Sequence, residues 1–466
     1  MSIGISATGR LNSLESLTRG PDGELDLEKL FVAAADAASE MYAPLFVGAR
    51  IAGDHALFTL FPNSDEAMLS VDGSGGVSFE ISTTPVGAGF HASIHTLLAK
   101  IGEAIGVTWD EISDDSGAED PEDFGSLQEA FANWGMAIAS SMRDQRLGAL
   151  DGVAVCMPLG TIFHYPSAVV TPFGPWDGDV LSAVASSRDA AAAWMPWMEL
   201  SPTAQTLLDA ARSLMWCNVC WRETSNDDVP EEEEHAYYAM KKALDLLDAA
   251  YELDPELDYP WHEWLELIGI EGEGRENATV VEAQANATEE PDEDDLIGYR
   301  RSDVTVWLPF GATIRIPGEM TSDFNEDGWV AGGETGSIHI TPYSARETDT
   351  EARASARVML SEAWTSIMSD FEGETIGEPF EWEGEGFIGR AEHRTDVDEE
   401  GDTIYMTQGL VARAGEFLFT TMIYFEDEQR PWAQATFQSI VVNERNAYRD
   451  DDDEMDEADA DDEDES

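Results

Sequence analysis

Two pairs of side chains in this chain have the types and spacing for metal chemistry. His91 and His95 stand four residues apart in GFHASIHTLL. On a helix their rings share a face, and with a carboxylate from elsewhere they could grip a transition ion. A metalloprotease helix would carry Glu directly after the first histidine, and Ala92 stands there. Both histidines border an apolar stripe that reaches Leu98, so packing beside a core is the reading the stripe favours. Cys217 and Cys220 form C-x-x-C in WCNVCW, which could be half a zinc site or a redox dithiol. Cys156 and a histidine such as His235 would have to complete a zinc set, because no second C-x-x-C exists. The pair falls late in an expected helix, whereas a thiolate is stabilised at a helix start. Core or near-core cysteines are therefore expected, and the low cysteine number offers no disulfide framework.

Two further patterns imitate binding loops. Gly87, Gly89 and Ala92 in GAGFHA have the spacing of a dinucleotide-binding turn, but Thr83-Thr84-Pro85 intervenes and the preceding strands read as antiparallel. A tight strand-to-helix turn accounts for these glycines. Asp396, Asp398, Glu400 and Gly401 resemble the start of a calcium loop, yet Thr407 stands where the bidentate Glu is needed. A hairpin turn is the simpler reading. The chain has no P-loop, nucleophile elbow or kinase signature, and no cofactor is expected.

The 466 residues carry 95 acids against 25 bases, a formal charge of −70. The segment from Asp450 to Glu465 holds 13 of those acids and reads as a disordered acidic tail, while the rest of the charge is spread along the chain. Such a field repels nucleic acid and anionic membranes. The lysines are Lys29, Lys100, Lys241 and Lys242, and all other bases are arginine. Hydrated carboxylates with few ammonium groups suit a saline cytoplasm. Met1 to Gly20 lacks a basic segment followed by an apolar core, and no uninterrupted apolar run is long enough to span a bilayer. A cytoplasmic protein is expected.

The elements that would position these residues form an α+β pattern. PLFVGAR, HALFTLF, AMLSV and GVSFEIS, between Pro44 and Ser82, read as an antiparallel meander. A helix follows through Phe90, Ile94, Leu97, Leu98, Ile101 and Ile105. The acidic stretch from Asp110 to Asp123 reads as a loop, and Ser126 to Arg143 as a second helix. Gly152 to Pro175 reads as strands and turns. A helical hairpin is expected over 201–254, opening with Ser201 as N-cap and Pro202 at the first helical position. Ala239 to Pro255 resembles one tetratricopeptide-type helix, although a solenoid needs about three repeats. Residues 1–270 are thus expected to form an N-terminal α+β domain, 271–296 an acidic flexible linker without apolar period, 297–445 a second α+β domain and 446–466 the tail.

In the C-terminal domain, strands are expected at VTVWLPF, ATIRIP and SIHITPY, then a helix from Ala352 to Phe371, then strands at FIGRAEHRT, TIYMTQGLVA and EFLFTTMIYF. A short helix from Pro431 to Gln438 leads into SIVV. This ending, with Phe419, Thr420, Trp432, Phe437 and Ser439, resembles the PsbP-like superfamily, which includes the Ran-binding Mog and DcrB-like proteins. The resemblance covers roughly Tyr299 to Val442. It implies an antiparallel sheet flanked by helices and a binding or accessory role, with no active site.

The expected function is a non-catalytic acidic binding or accessory protein, immunity-type, that covers a basic protein partner. One alternative is a metal-dependent or redox enzyme using His91 and His95 or Cys217 and Cys220. Another is a salt-adapted protein whose charge reflects only its solvent.

Overall fold

A computed structural model describes residues 2–12, 27–118, 123–144, 153–157, 160–222, 231–271, 274–292, 295–325, 328–344, 356–367, 373–397, 401, 403–413, 416–424 and 426–442. The fold is α+β, with antiparallel sheets and packed helices in both the N-terminal and C-terminal regions. Two compact units divide between Ser302 and Asp303. The expected tail and the Asp398–Glu400 turn lie outside the described residues.

The first unit is built on a six-stranded sheet: β1 (Gly4–Leu11), β2 (Gly48–Ala52), β3 (His55–Thr59), β4 (Ala67–Val71), β5 (Gly76–Ser82) and β6 (Val107–Asp114), in the order β2-β3-β4-β5-β1-β6. The neighbouring pairs are antiparallel. Alternate residues such as Ile5, Ala7, Phe58, Leu69, Phe79 and Ile81 are buried on one face, as a period of two requires. Helices α1 (Leu27–Tyr42) and α2 (Ala88–Ile105) contribute Phe31, Ala34, Phe90, Ile94 and Leu98 to the same core. The meander and α2 stand where the sequence places them.

β6 corrects the expected loop after Asp110. The segment VTWDEISD has solvent on most of its length, and only Val107 is buried. Its acids therefore sit on an exposed edge strand, where charge also blocks pairing with a further chain. Gly106, at φ +71°, turns α2 directly into this strand. The Trp109 indole then donates to the Leu98 carbonyl at 2.8 Å, tying β6 back to α2.

A second, smaller core lies among α3 (Phe124–Arg143), α4 (Gly178–Ser186) and α5 (Arg188–Trp194), with Val169, Trp176, Leu181 and Ala191 at its centre, and the two-residue strand β7 (Thr161–Ile162) stands between α3 and α4 in the chain. Helices α6 (Ala204–Cys217) and α7 (Glu231–Leu253) form the expected hairpin. Its cap differs from the expected Ser201: Thr203 accepts from the Thr206 N–H at 3.3 Å, and Thr206 returns the bond at 3.1 Å.

Helices α8 (Trp261–Glu271) and α9 (Ala278–Ala285) follow. The second falls inside the stretch read as a linker. Its Val281 is fully buried in the main core, and Arg275 just before it joins Glu271 with Asp245 and Asp248 of α7. Composition concealed this anchor because few residues carry it: Val281, Ala285, Arg275 and Asn277, which donates to Asp248 at 3.0 Å.

The second unit contains β8 (Val304–Leu308) and β9 (Ala312–Ile316), joined antiparallel, with β17 (Val441–Val442) pairing to β9. Its larger sheet comprises β10 (Thr321–Asn325), β11 (Gly328–Gly333), β12 (Gly336–Ser344), β13 (Glu374–Gly384), β14 (Phe387–Val397), β15 (Thr403–Arg413) and β16 (Glu416–Tyr424). These run antiparallel in the order β10-β11-β12-β16-β15-β14-β13. Helix α10 (Ala356–Ile367) packs Leu360 against Ile388, Leu410 and Ala412. Helix α11 (Arg430–Gln438) covers the opposite side, its Phe437 ring 4.6 Å from that of Trp382. β10, β11 and β13 escape the sequence reading. β13 is an edge strand exposed along most of its length, so Glu374, Glu378, Glu381 and Glu383 mask its alternation.

Candidate metal centre

The start of α2 is a crowded place. Gly87 has φ +129°, and a Cβ on Gly89 would meet the Glu199 carbonyl oxygen at 1.7 Å. The Gly89 N–H donates to the Trp197 carbonyl at 2.9 Å. The segment Trp197–Glu199 thus crosses the helix end that a pyrophosphate would need, and the glycines serve chain packing. Gly89→Ala is expected to cost about 1–3 kcal/mol by overpacking, read from urea unfolding. A cost below about 0.5 kcal/mol would show that Trp197–Glu199 can move aside.

One turn further on, the fully buried His91 is held by its neighbours. Its Nδ1 lies 2.8 Å from Thr83 Oγ1, and the Thr83 hydroxyl donates to the Ile3 carbonyl at 3.1 Å. Nδ1–H therefore donates to Thr83, and a neutral ring carries its lone pair on Nε2. That Nε2 is buried and makes no hydrogen bond of acceptable geometry. It nevertheless lies 3.1 Å from Asp114 Oδ2. Two lone pairs so close oppose each other unless a proton or a metal ion lies between them.

Asp114 arrives there through chain geometry. The helix from His91 to Ile105 rises about 21 Å, and the returning strand from Val107 to Asp114 about 23 Å. The end of β6 thus comes back level with His91. The carboxylate's other oxygen, Oδ1, accepts from the Ser116 N–H at 2.8 Å, leaving Oδ2 aimed at the histidines. His95 Nε2 is 3.9 Å from Oδ2 on the exposed side. Burial works to raise the Asp114 carboxyl, but the close approach of His91 and His95 and the Ser116 N–H outweigh it. The group is held well below the usual carboxylate range.

The three ligand atoms lie within 4.8 Å of one another. Metal bonds of about 2.0 Å set tetrahedral ligand atoms about 3.3 Å apart. The observed 3.1 and 3.9 Å bracket that value, and the half-exposed His95 can turn to close the difference. Thr83 and Ser116 play the orienting part that outer hydrogen bonds play around metal ligands. The sequence supplied both histidines and the need for a carboxylate. It did not supply Asp114, Thr83 or Ser116. The legible signal was Gly106 followed by Val-Thr-Trp, which marks a strand of the right length.

The cysteines are placed differently. Cys217 is buried at the C-terminal end of α6, 3.8 Å from the Pro172 carbonyl. Burial pushes its thiol up, against a weaker opposing pull from Arg300, and a helix C-terminus disfavours a thiolate further. Cys220 is also buried, with its sulfur 3.9 Å from an Arg300 nitrogen. Burial, aided by Asp65, pushes the Cys156 thiol up to about 12. Among the described residues no cluster of metal-ligating groups includes a cysteine, and the His235 side chain falls outside those residues.

The second unit holds a buried histidine in another role. His393 Nδ1 lies 2.8 Å from Thr407 Oγ1 and 3.5 Å from the Tyr424 hydroxyl, with the Phe380 ring 5.3 Å away. Burial and the Arg430 charge push its pKa down, against Gln434 and Asp427. A histidine depressed in the folded state binds its proton more readily when unfolded, so this stability is full above the unfolded value and falls as pH drops below about 6.5. Urea unfolding at pH 7.5 and 5.5 is expected to show a steeper loss for the native chain than for His393→Gln. The difference is at most roughly 1.4 kcal/mol per pH unit, and equal slopes would remove His393 as its source.

No family model matches this chain, and no curated protein matches it. Among the described residues no helix is long and apolar enough to cross a membrane. Twelve chains of known structure match. One of them is the solution structure of cyanobacterial PsbP (CyanoP) from Synechocystis sp. PCC 6803, similar over 34% of this chain and 99% of that one, at 8% identity and a TM-score of 0.23.

Proposed function

We propose that the protein binds one divalent first-row transition ion through His91 Nε2, His95 Nε2 and Asp114 Oδ2. The observation that carries this reading is the buried His91 Nε2, which lacks a hydrogen bond while facing a carboxylate 3.1 Å away. Two imidazoles and one carboxylate are a donor set for zinc, cobalt, iron or manganese rather than calcium or magnesium. Equilibrium dialysis of the full chain against zinc or cobalt is expected to retain one ion per chain. Retention of none, or of many ions displaced together by magnesium, would point instead to loose association with surface acids.

A second reading rests on the charge of −70: the chain binds a basic protein partner, steered by its negative field. Capture of such a partner should weaken sharply between low and high salt, with and without the residues from Asp450 onward. Capture indifferent to salt sinks this reading. If the charge is an adaptation to a saline solvent alone, the melting temperature should rise toward molar KCl without any partner.

A further inference from the structure

We infer that an ion at the His91–His95–Asp114 site keeps a coordination position open toward solvent and takes a small monodentate donor there, with water as the resting ligand. This rests on the metal reading above and adds a ligand class to it. Closed structural zinc sites present four protein ligands, whereas catalytic sites present three and leave the remaining position to water or substrate. Here the described residues supply three: two from successive turns of α2 and one from the end of β6.

The burial of the three ligands fixes where the open position faces. His91 is fully buried, and the Phe131 ring of α3 stands edge-on to it at 5.5 Å, closing the inner side. Asp114 is 14% exposed and His95 46%. Both protein nitrogens approach the ion from α2, and the carboxylate approaches from β6. The uncovered quadrant therefore lies on the His95 side, where the donor enters from solvent.

The electrostatics select among donors. A bound divalent ion with one carboxylate keeps a formal excess of one positive charge, so a neutral or singly anionic donor is accepted locally. At longer range the −70 chain repels anions, and that repulsion is screened over about 10 Å at 0.1 M salt. Neutral donors such as water or an imidazole thus reach the ion at any ionic strength. Anionic donors need salt to approach.

The experiment uses the full chain loaded with one equivalent of cobalt, whose visible absorption reports coordination number, and titrates it with azide at low and high sodium sulfate. The expected result is a saturable spectral change that fits one azide per cobalt, with tighter binding at high sulfate. A stoichiometric cobalt spectrum that azide leaves unchanged at both salt levels overturns this inference alone, because a fourth protein ligand then closes the site. Failure to bind cobalt at all overturns the metal reading and this inference with it.

Discussion

Asp114→Asn lowers zinc affinity by more than about 100-fold and leaves the fold in place. The magnitude follows from the ligand's rank: loss of an outer hydrogen-bonding partner already costs about 10- to 100-fold, and Asp114 supplies the only charged donor of the three. The fold survives because asparagine has the same shape and its amide can donate to the His91 Nε2 that otherwise lacks a partner. The Ser116 N–H can still be satisfied by the amide oxygen. Thr83→Val is the graded companion. It removes the hydroxyl that accepts from His91 Nδ1, so affinity should fall about 10-fold while the buried N–H left unpaired costs about 1–3 kcal/mol of stability. Isothermal titration with zinc reads the affinities, and urea unfolding of the metal-free chains reads the stabilities. Unchanged affinity in Asp114→Asn would relocate the site.

The occupied site should also change the protein's stability in a way that identifies the ion's position. A ligand present at about 1,000 times its dissociation constant stabilises the native state by about 4 kcal/mol. That stabilisation should vanish in Asp114→Asn and persist in Gly89→Ala, although Gly89 is only two residues from His91. The distinction separates ligation from the general integrity of α2.

Much of this arrangement was legible in residue pattern. Strands β3, β4 and β5 and the stripe of α2 show their periodicities openly, because each buries one clean face. β16 alternates in the same way, while β14 and β15 read as strands through runs buried on both faces. Among what escaped, β6 and β13 are edge strands whose outward carboxylates break the apolar alternation, whereas β11, GWVAGG, is glycine-rich and carries no such pattern. In a chain with 95 acids, charge marks an exposed strand as readily as a loop. One of the three ligands of the candidate site suffered the same fate. His91 and His95 were visible as a pair on one helix, whereas Asp114 was one acid among many until the return of β6 set it level with them.

The scarcity of cations gives the second large effect. With 25 bases for 95 acids, a well-buried arginine gathers several carboxylates. Arg275 is the clearest case. Its Nε and Nη2 meet both oxygens of Glu271 at 2.6 and 2.8 Å, and its Nη1 reaches Asp245 and Asp248 at 2.8 and 3.0 Å. The Glu271 side chain is 1% exposed, so it depends on this planar fork for charge compensation. Arg275→Ala strands that carboxylate beside two others and should cost about 3–5 kcal/mol, measured by urea unfolding. The double variant Glu271→Gln with Arg275→Met removes both charges together and should recover most of the loss, because the pair itself adds little beyond its own desolvation. A cost below about 1 kcal/mol for Arg275→Ala would mean that the network behaves as an exposed ion pair. In that case α9 would be held by its buried Val281 and Ala285 and by the Asn277–Asp248 hydrogen bond rather than by the arginine.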